Sequence, residues 1–269
     1  MTVLTHSKRV NPERNSSKGN QLKWFDGTYW YKADYLGYEA LVEYLVSKLL
    51  QKTNVSSFVD YEMTWIQYQK KEFIGCRSKH FLNQDCELIT LEKLFRKYKG
   101  IELTKEYAYF DVEERIQYVV EGVTEITGLQ EFGKYMTMLL QLDALFLNED
   151  RHMHNIAVIY KSDGTFAYCP VFDNGAGLFS DTRISYDLNT NLEACYEIIE
   201  AKPFNRSFDI QVDAAEELYG YPLECWFTIE DVKKHLEEVK KYYPVEIINR
   251  VEQIMRFQLH KYQYLQKTK

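Results

Sequence analysis

"YMTMLLQLDALFLNEDRHMHNIAVIY" (135–160) changes character twice within 26 residues. The first half is apolar with helical spacing, and the last five residues read as a buried strand. Between them, "LNEDRHMHN" (147–155) packs Glu149, Asp150, Arg151, His152 and His154 into one turn. A turn that only reverses the chain is better served by Gly, Pro, Asn or Ser. So dense a polar insert between two apolar elements is either a solvated loop or a site.

"NIAVIY" and "FAYCPVF" flank "KSDGT" and read as a β-hairpin. Before the polar turn, "ELITLEKLFRKYKG" (87–100), "DVEERIQYVVEGVTEITG" (111–128) and "LQEFGKYMTMLLQLDALFLN" (129–148) carry apolar residues at helical spacing. From about residue 188 helices dominate again, through "VDAAEELYG", "TIEDVKKHLEEVKKYY" and "PVEIINRVEQIMRFQLHKYQYLQ". The N-terminal part differs. "LKWFDGTYWYKAD" (22–34) reads as two strands joined at Asp26-Gly27. "GYEALVEYLVSKLLQK" (37–52) is an amphipathic helix, and "SSFVDYEMTWIQYQKKEFIGC" (56–76) gives two more strands. Residues 1 to about 18 read as a loose arm. The expectation is an α+β, bilobal fold. A small antiparallel β N-lobe with one helix spans 1–80, and a larger, mainly helical C-lobe with the hairpin spans 81–269. A cleft between lobes is a favoured place for a ligand.

Bulk numbers exclude several classes. With 269 residues, 45% of them hydrophobic and 15% aromatic, the chain can bury a large core. A net charge of −7 argues against nonspecific nucleic-acid binding, which needs a phosphate-neutralising surface. No run of about 18 apolar residues predicts a membrane span, and the polar N-terminus has no apolar core for export. The five cysteines are scattered and form no C-x-x-C, which fits reduced thiols in a cytoplasm.

The chemistry-bearing set is Asp150 and Asn155, five apart, with Asp173 of "VFDNGAG" across the hairpin. Phosphoryl transfer needs one carboxylate to orient an acceptor hydroxyl and take its proton. It also needs an amide oxygen and a second carboxylate for magnesium. Gly175 after Asp-Asn would let the backbone turn sharply. In the N-terminal part "WYKAD" puts Lys32 on a strand, where it can hold nucleotide phosphates. The next helix offers Glu39 and Glu43, on one face, to brace it. "SSKGNQLK" is a Gly-containing turn whose backbone N–H groups could cradle phosphates, although it is neither a P-loop nor G-x-G-x-x-G.

On these residues the chain resembles the HipA-like serine/threonine kinases, in a short form similar to the secreted members and to the C-terminal kinase domain of the full-length toxins. "SSKGNQLK" fits the S-x-x-G-x-Q-x-K phosphate loop at Ser16, Gly19, Gln21 and Lys23. "NEDRHMHN" fits the N-x-D-x-H-x-x-N catalytic loop at Asp150, His152 and Asn155, and "VFDNG" supplies the metal aspartate Asp173. The resemblance favours Glu43 over Glu39. It implies a protein-kinase-like fold, ATP and Mg²⁺ as cofactors, and a protein Ser or Thr acceptor, with autophosphorylation. Asp150 and Lys32 would be the catalytic pair, and Asn155 and Asp173 the metal ligands. Ser17, Lys18, Gly19, Asn20, Gln21, Lys32, Glu43 and His152 would hold nucleotide. Phosphorylation of Ser16, or of neighbouring Ser17, would place a dianion beside the triphosphate and shut the enzyme off. The implied partners are a protein substrate and an antitoxin or regulatory protein, with neither nucleic acid nor membrane. As read, the chain carries no counterpart of the toxins' N-terminal subdomain. Its loop has Asp-Arg-His where some members have Asp-Gly-His, so Arg151 either contacts phosphate or pairs with a nearby acid. Three rival readings remain beside this one: a His/carboxylate metallohydrolase built on His152 and His154, a non-catalytic pseudokinase, and a lipid kinase.

Overall fold

The computed structural model describes residues 2–4, 9–10 and 21–267. Strands β1 (Thr2–Val3), β2 (Arg9–Val10), β3 (Lys23–Phe25) and β4 (Tyr29–Ala33) come first, then helix α1 (Glu39–Leu50), β5 (Tyr61–Tyr68) and β6 (Lys71–Lys79). Next are β7 (Glu87–Thr90), α2 (Leu91–Lys99), α3 (Leu103–Glu106), α4 (Val112–Thr127) and α5 (Phe132–Leu145). The hairpin β8 (Ala157–Tyr160) and β9 (Phe166–Tyr168) precedes α6 (Leu192–Ile198), α7 (Phe208–Tyr219), α8 (Ile229–Val239) and α9 (Val245–Lys261). Two compact units result. The first holds Met1–Phe81, Phe172–Ile199 and Glu224–Lys269; the second holds Leu82–Val171 and Glu200–Leu223.

In the first unit six strands run in the order β1-β5-β6-β4-β3-β2. All neighbours are antiparallel except β1 with β5. The expected β3–β4 hairpin forms, with Trp24 opposite Tyr31 and Gly27 at φ 98°. Asp26 holds the turn by accepting from the N–H groups of Thr28 and Tyr29 at 2.8 and 2.7 Å. The expectation of a loose arm is corrected at β1 and β2. These short strands pair with β5 and β3, whose open backbone groups need partners. Leu4 donates its N–H to Gln67 at 2.9 Å and is buried with Trp24, Tyr31, Ala33, Ile66 and Tyr68. A second cluster of Ala40, Val59, Tyr61 and Cys76 joins α1 to the sheet.

Helix α1 is buried on almost every side, from Ala40 to Leu50, with only Lys48 less covered among those residues. Each large aliphatic side chain so enclosed contributes about 1.5–3 kcal/mol. The segment after Phe172 is stitched to the start of this helix. Tyr38 donates its N–H to Ser180 at 3.2 Å and its hydroxyl to Leu178 at 2.6 Å, and Gly37 bridges Asp181.

The second unit is built on α4, α5 and α7 and a small sheet in the order β7-β8-β9. Helix α4 starts in a capping box made by Asp111 and Glu114 and ends at Gly128. The helix expected over 87–100 is corrected. Glu87–Thr90 is a strand, and only Leu91–Lys99 is helical. Leu88 and Ile89 pair with Ile159 and Val158 of β8, and Thr90 caps the helix that follows. An available strand partner outweighs the helical spacing here, because strand preference is set largely by cross-strand packing. Buried Gln141 ties α5 to α7 through Glu216 at 2.7 Å. No helix among the described residues is long and apolar enough to cross a membrane.

Candidate active site

In the first unit, Lys32 sits on β4 opposite Cys76 of β6. Its ammonium donates to Glu43 Oε1 of α1, to Asp173 Oδ1 at 2.6 Å and to the Tyr61 hydroxyl at 3.5 Å. Glu43 is 1% exposed, Lys32 12% and Asp173 26%. Burial works to lower the lysine pKa, but the Asp173 and Glu43 carboxylates outweigh it and hold the group well above the ordinary lysine range. Lys32 is therefore a fixed cation. The other carboxylate oxygen of Glu43 accepts from Asn174 N–H at 2.9 Å, so one side chain holds both the lysine and the backbone beside Asp173.

Of the two candidate helix acids, Glu43 faces Lys32. Glu39 instead accepts from the N–H groups of Tyr35, Leu36 and Gly37 at 3.3, 2.6 and 3.0 Å, closing the turn into α1. Asp34, not singled out in the sequence, completes this turn by accepting from Ala40 N–H and the Tyr243 hydroxyl, each at 2.7 Å. The sharp turn at "DNG" lies on Asp173 itself, at φ 59°. That left-handed conformation costs a non-glycine residue on the order of 1–3 kcal/mol and clusters at functional sites. Gly175 serves a different end from the one expected. A Cβ there would stand 3.3 Å from the Glu39 carbonyl and from Glu43 Cγ, so its bareness lets the segment lie against α1.

Gln21 donates to the Ala33 carbonyl at 3.1 Å, and Lys23 lies opposite Lys32 in the β3–β4 register. Ser16, Ser17, Lys18, Gly19 and Asn20 lie outside the described residues.

In the second unit the polar turn is held from below. Asp143, inside α5, receives Arg151 Nε at 3.1 and 3.0 Å on its two oxygens, and Asn148 Nδ2 at 2.9 Å. Asp143 and Arg151 are each 1% exposed. Arg151 also donates to the Asn155 carbonyl at 3.3 Å. Of the two roles open to Arg151, the structure shows the pairing with an acid. Above this bolt the Asp150 carbonyl accepts from His152 N–H and from Asn155 Nδ2, each at 2.9 Å. With Nδ2 so engaged, Oδ1 is the atom Asn155 can offer a cation. Lys202, from the loop before α7, reaches Asp150 Oδ1 at 3.0 Å. Nothing in the sequence around "AKPF" signals that contact.

His152 Nδ1 accepts from His154 N–H at 3.3 Å, and its buried Nε2 has no hydrogen-bond partner, standing 3.9 Å from Asp150 Oδ1. The two imidazoles meet edge to face at 82°, centroids 5.6 Å apart, rather than side by side toward one metal. Among the described residues no group of three or more His, Cys, Asp or Glu side chains is placed to hold a metal ion.

Burial lowers the His152 pKa; Asp150 opposes the shift, and Lys202 and His154 reinforce it. The unfolded chain then takes up this proton before the folded one. The linked stability is complete above the ordinary imidazole pKa of about 6.5 and is lost as pH falls below it. His152→Gln is expected to flatten that part of the acid limb. Thermal melts of both proteins between pH 7 and 5 check it, and parallel curves would refute it.

Searched against protein families and curated proteins, the chain matches no family model and no curated protein. Among solved structures it is similar to a Helicobacter pylori proinflammatory kinase, CtkA. The TM-score is 0.62 and the identity 14%, over 96% of this chain and 94% of that one. At that identity the likeness speaks for the fold alone. The chain is a mixed α and β protein with a kinase-like fold, its sheet in the N-terminal part and its helices mainly in the C-terminal part.

Proposed function

We propose that the protein is an ATP- and Mg²⁺-dependent kinase that transfers the γ-phosphoryl group to Ser or Thr hydroxyls of a protein, its own chain included. One observation carries the reading most. Lys32 and Glu43, 11 residues apart, and Asp173, 141 residues beyond the lysine, meet in a single ion cluster. A kinase needs a strand lysine for the phosphates, a helix acid to hold it and an aspartate for metal.

The donor chemistry fits both cofactors. A fixed ammonium suits phosphate oxygens, and a carboxylate with an amide oxygen suits magnesium. In this reading Lys32, braced by Glu43, binds the α/β-phosphates, and Asp173 and Asn155 are the magnesium ligands. Asp150 orients the acceptor hydroxyl and takes its proton. Bound magnesium would neutralise charge on the phosphates. CtkA's description as a kinase supports the same reaction class.

The test is incubation with γ-labelled ATP and Mg²⁺, followed by mass spectrometry of the chain. Phosphoserine or phosphothreonine is the expected result. Rapid ATP hydrolysis without any phosphoprotein would point to another acceptor, and no nucleotide binding at all would overturn the reading.

A further inference from the structure

We infer that Lys202 is a positioning residue of the phosphoryl-transfer reaction: its ammonium fixes the Asp150 carboxylate and offsets the charge that carboxylate presents to the incoming phosphate. The inference rests on the kinase reading above and extends it to a residue outside every motif the chain carries.

The contact itself is Lys202 Nζ to Asp150 Oδ1 at 3.0 Å, across 52 residues of sequence. Lys202 is 40% exposed and Asp150 16%. Two other lysine pairs of the second unit, Lys105 with Glu102 and Lys134 with Glu131, are only three residues apart and more exposed. Solvent-exposed pairs of that kind contribute little.

The loop carrying Lys202 is built with more care than such an ion pair requires. Gln211, fully buried, donates Nε2 to the Lys202 carbonyl at 3.0 Å and accepts from Phe204 N–H at 3.4 Å. Arg115 Nη1 donates to the Phe204 carbonyl at 2.8 Å, and Ala201 N–H donates to Arg206 O at 2.7 Å. Phe204 itself is buried. The backbone of a half-exposed lysine is thus clamped from both sides, so its side chain starts from a fixed point. The clamp aims that side chain at the one carboxylate of the polar turn assigned to proton acceptance. His152 Nε2, buried and without a hydrogen-bond partner, is the third group near that oxygen, at 3.9 Å.

The chemistry explains why a cation belongs here. The acceptor oxygen forms a bond to phosphorus as the bond from phosphorus to the ADP oxygen breaks. That electron pair leaves with ADP, and the hydroxyl proton passes to Asp150. A bare carboxylate repels the phosphoryl oxygens it must approach. An ammonium held against Asp150 reduces that repulsion before the reaction begins, so no reorganisation is needed at the moment of transfer.

The test compares the wild type with Lys202→Met, Lys202→Arg and Asp150→Asn, at saturating Mg²⁺-ATP, with the chain itself and dephosphorylated casein as acceptors. Lys202→Met should lower kcat by about 10²-fold, with nucleotide Kd and melting temperature unchanged, and Lys202→Arg should restore much of the loss. A Lys202→Met protein with wild-type kcat overturns the inference. So does one whose loss tracks a lower melting temperature or weaker nucleotide binding, or one that Lys202→Arg does not improve. If wild type transfers phosphate, Asp150→Asn does not, and Lys202→Met does, only the role of Lys202 falls. A wild type that transfers no phosphate under any of these conditions takes the kinase reading down, and this inference with it.

Discussion

Asp150→Asn is expected to bind nucleotide as the wild type does while transferring phosphate at least about 10²–10³ times more slowly, a loss of roughly 2.7–4 kcal/mol of transition-state stabilisation. The substitution keeps the shape and size of the side chain. The Asp150 carbonyl, not its side chain, receives His152 N–H and Asn155 Nδ2, so the turn keeps its shape in the variant. The bolt beneath it is built on Asp143 with Asn148 and Arg151. Lys202 loses a charged partner but is exposed enough to be hydrated instead. What disappears is a carboxylate able to take a proton. Single-turnover transfer from labelled ATP, beside calorimetric titration of nucleotide, separates the two effects. Undiminished phosphorylation by Asp150→Asn would remove Asp150 from the mechanism.

The parts of the fold that could be read in advance are those where local chemistry and final structure agree. Asp26-Gly27 supplies both the turn-forming side chain and the left-handed residue, so the β3–β4 hairpin was legible. Asp111 with Glu114, and Gly128 after the last turn, mark both ends of α4. The β5–β6 turn is different. Gln69 and Lys70 both adopt positive φ, 50° and 62°, without the Gly or Asn that usually signals it, so the pairing of long strands sets the turn. Glu87–Thr90 misleads because Leu88 and Ile89 continue the apolar spacing of α2, while the deciding partner, β8, lies some seventy residues on. The site divides in the same way. Lys32 and Asp173 stand out in their own motifs, and the resemblance favours Glu43 over Glu39; the structure brings these three side chains together. The roles of Glu39, Asp34 and Lys202 were not legible, since they depend on which backbone or side-chain atom is nearest in space. The membership of 172–199 and 224–269 in the first unit is likewise a tertiary fact with no local sign.

Arg151→Met is expected to cost stability, about 3–5 kcal/mol, because removing one partner of a buried ion pair strands the other. Among the described residues Asp143 would keep Asn148 as its side-chain donor, in a place where it is 1% exposed. Burial already raises the Asp143 pKa, and the Arg151 guanidinium is the largest force pulling it back down. Without that guanidinium the carboxyl moves further up and favours its neutral form. A carboxyl whose folded pKa lies above its unfolded value makes folding easier as pH falls, so the deficit of Arg151→Met should shrink between pH 7 and 5. The double variant Asp143→Leu/Arg151→Met should regain much of the loss, since an apolar pair of similar volume can replace a buried ion pair at little cost. Urea denaturation of the three proteins at both pH values reads all of this. The same series separates the two roles the sequence left open for Arg151. A phosphate-contacting arginine would lose transfer or nucleotide binding while its unfolding midpoint stayed in place. The buried bolt seen here predicts the reverse order: the unfolding midpoint drops first, and transfer falls only as far as the loosened 148–155 turn displaces Asp150 and Asn155. An Arg151→Met protein with a wild-type midpoint would discard the structural role.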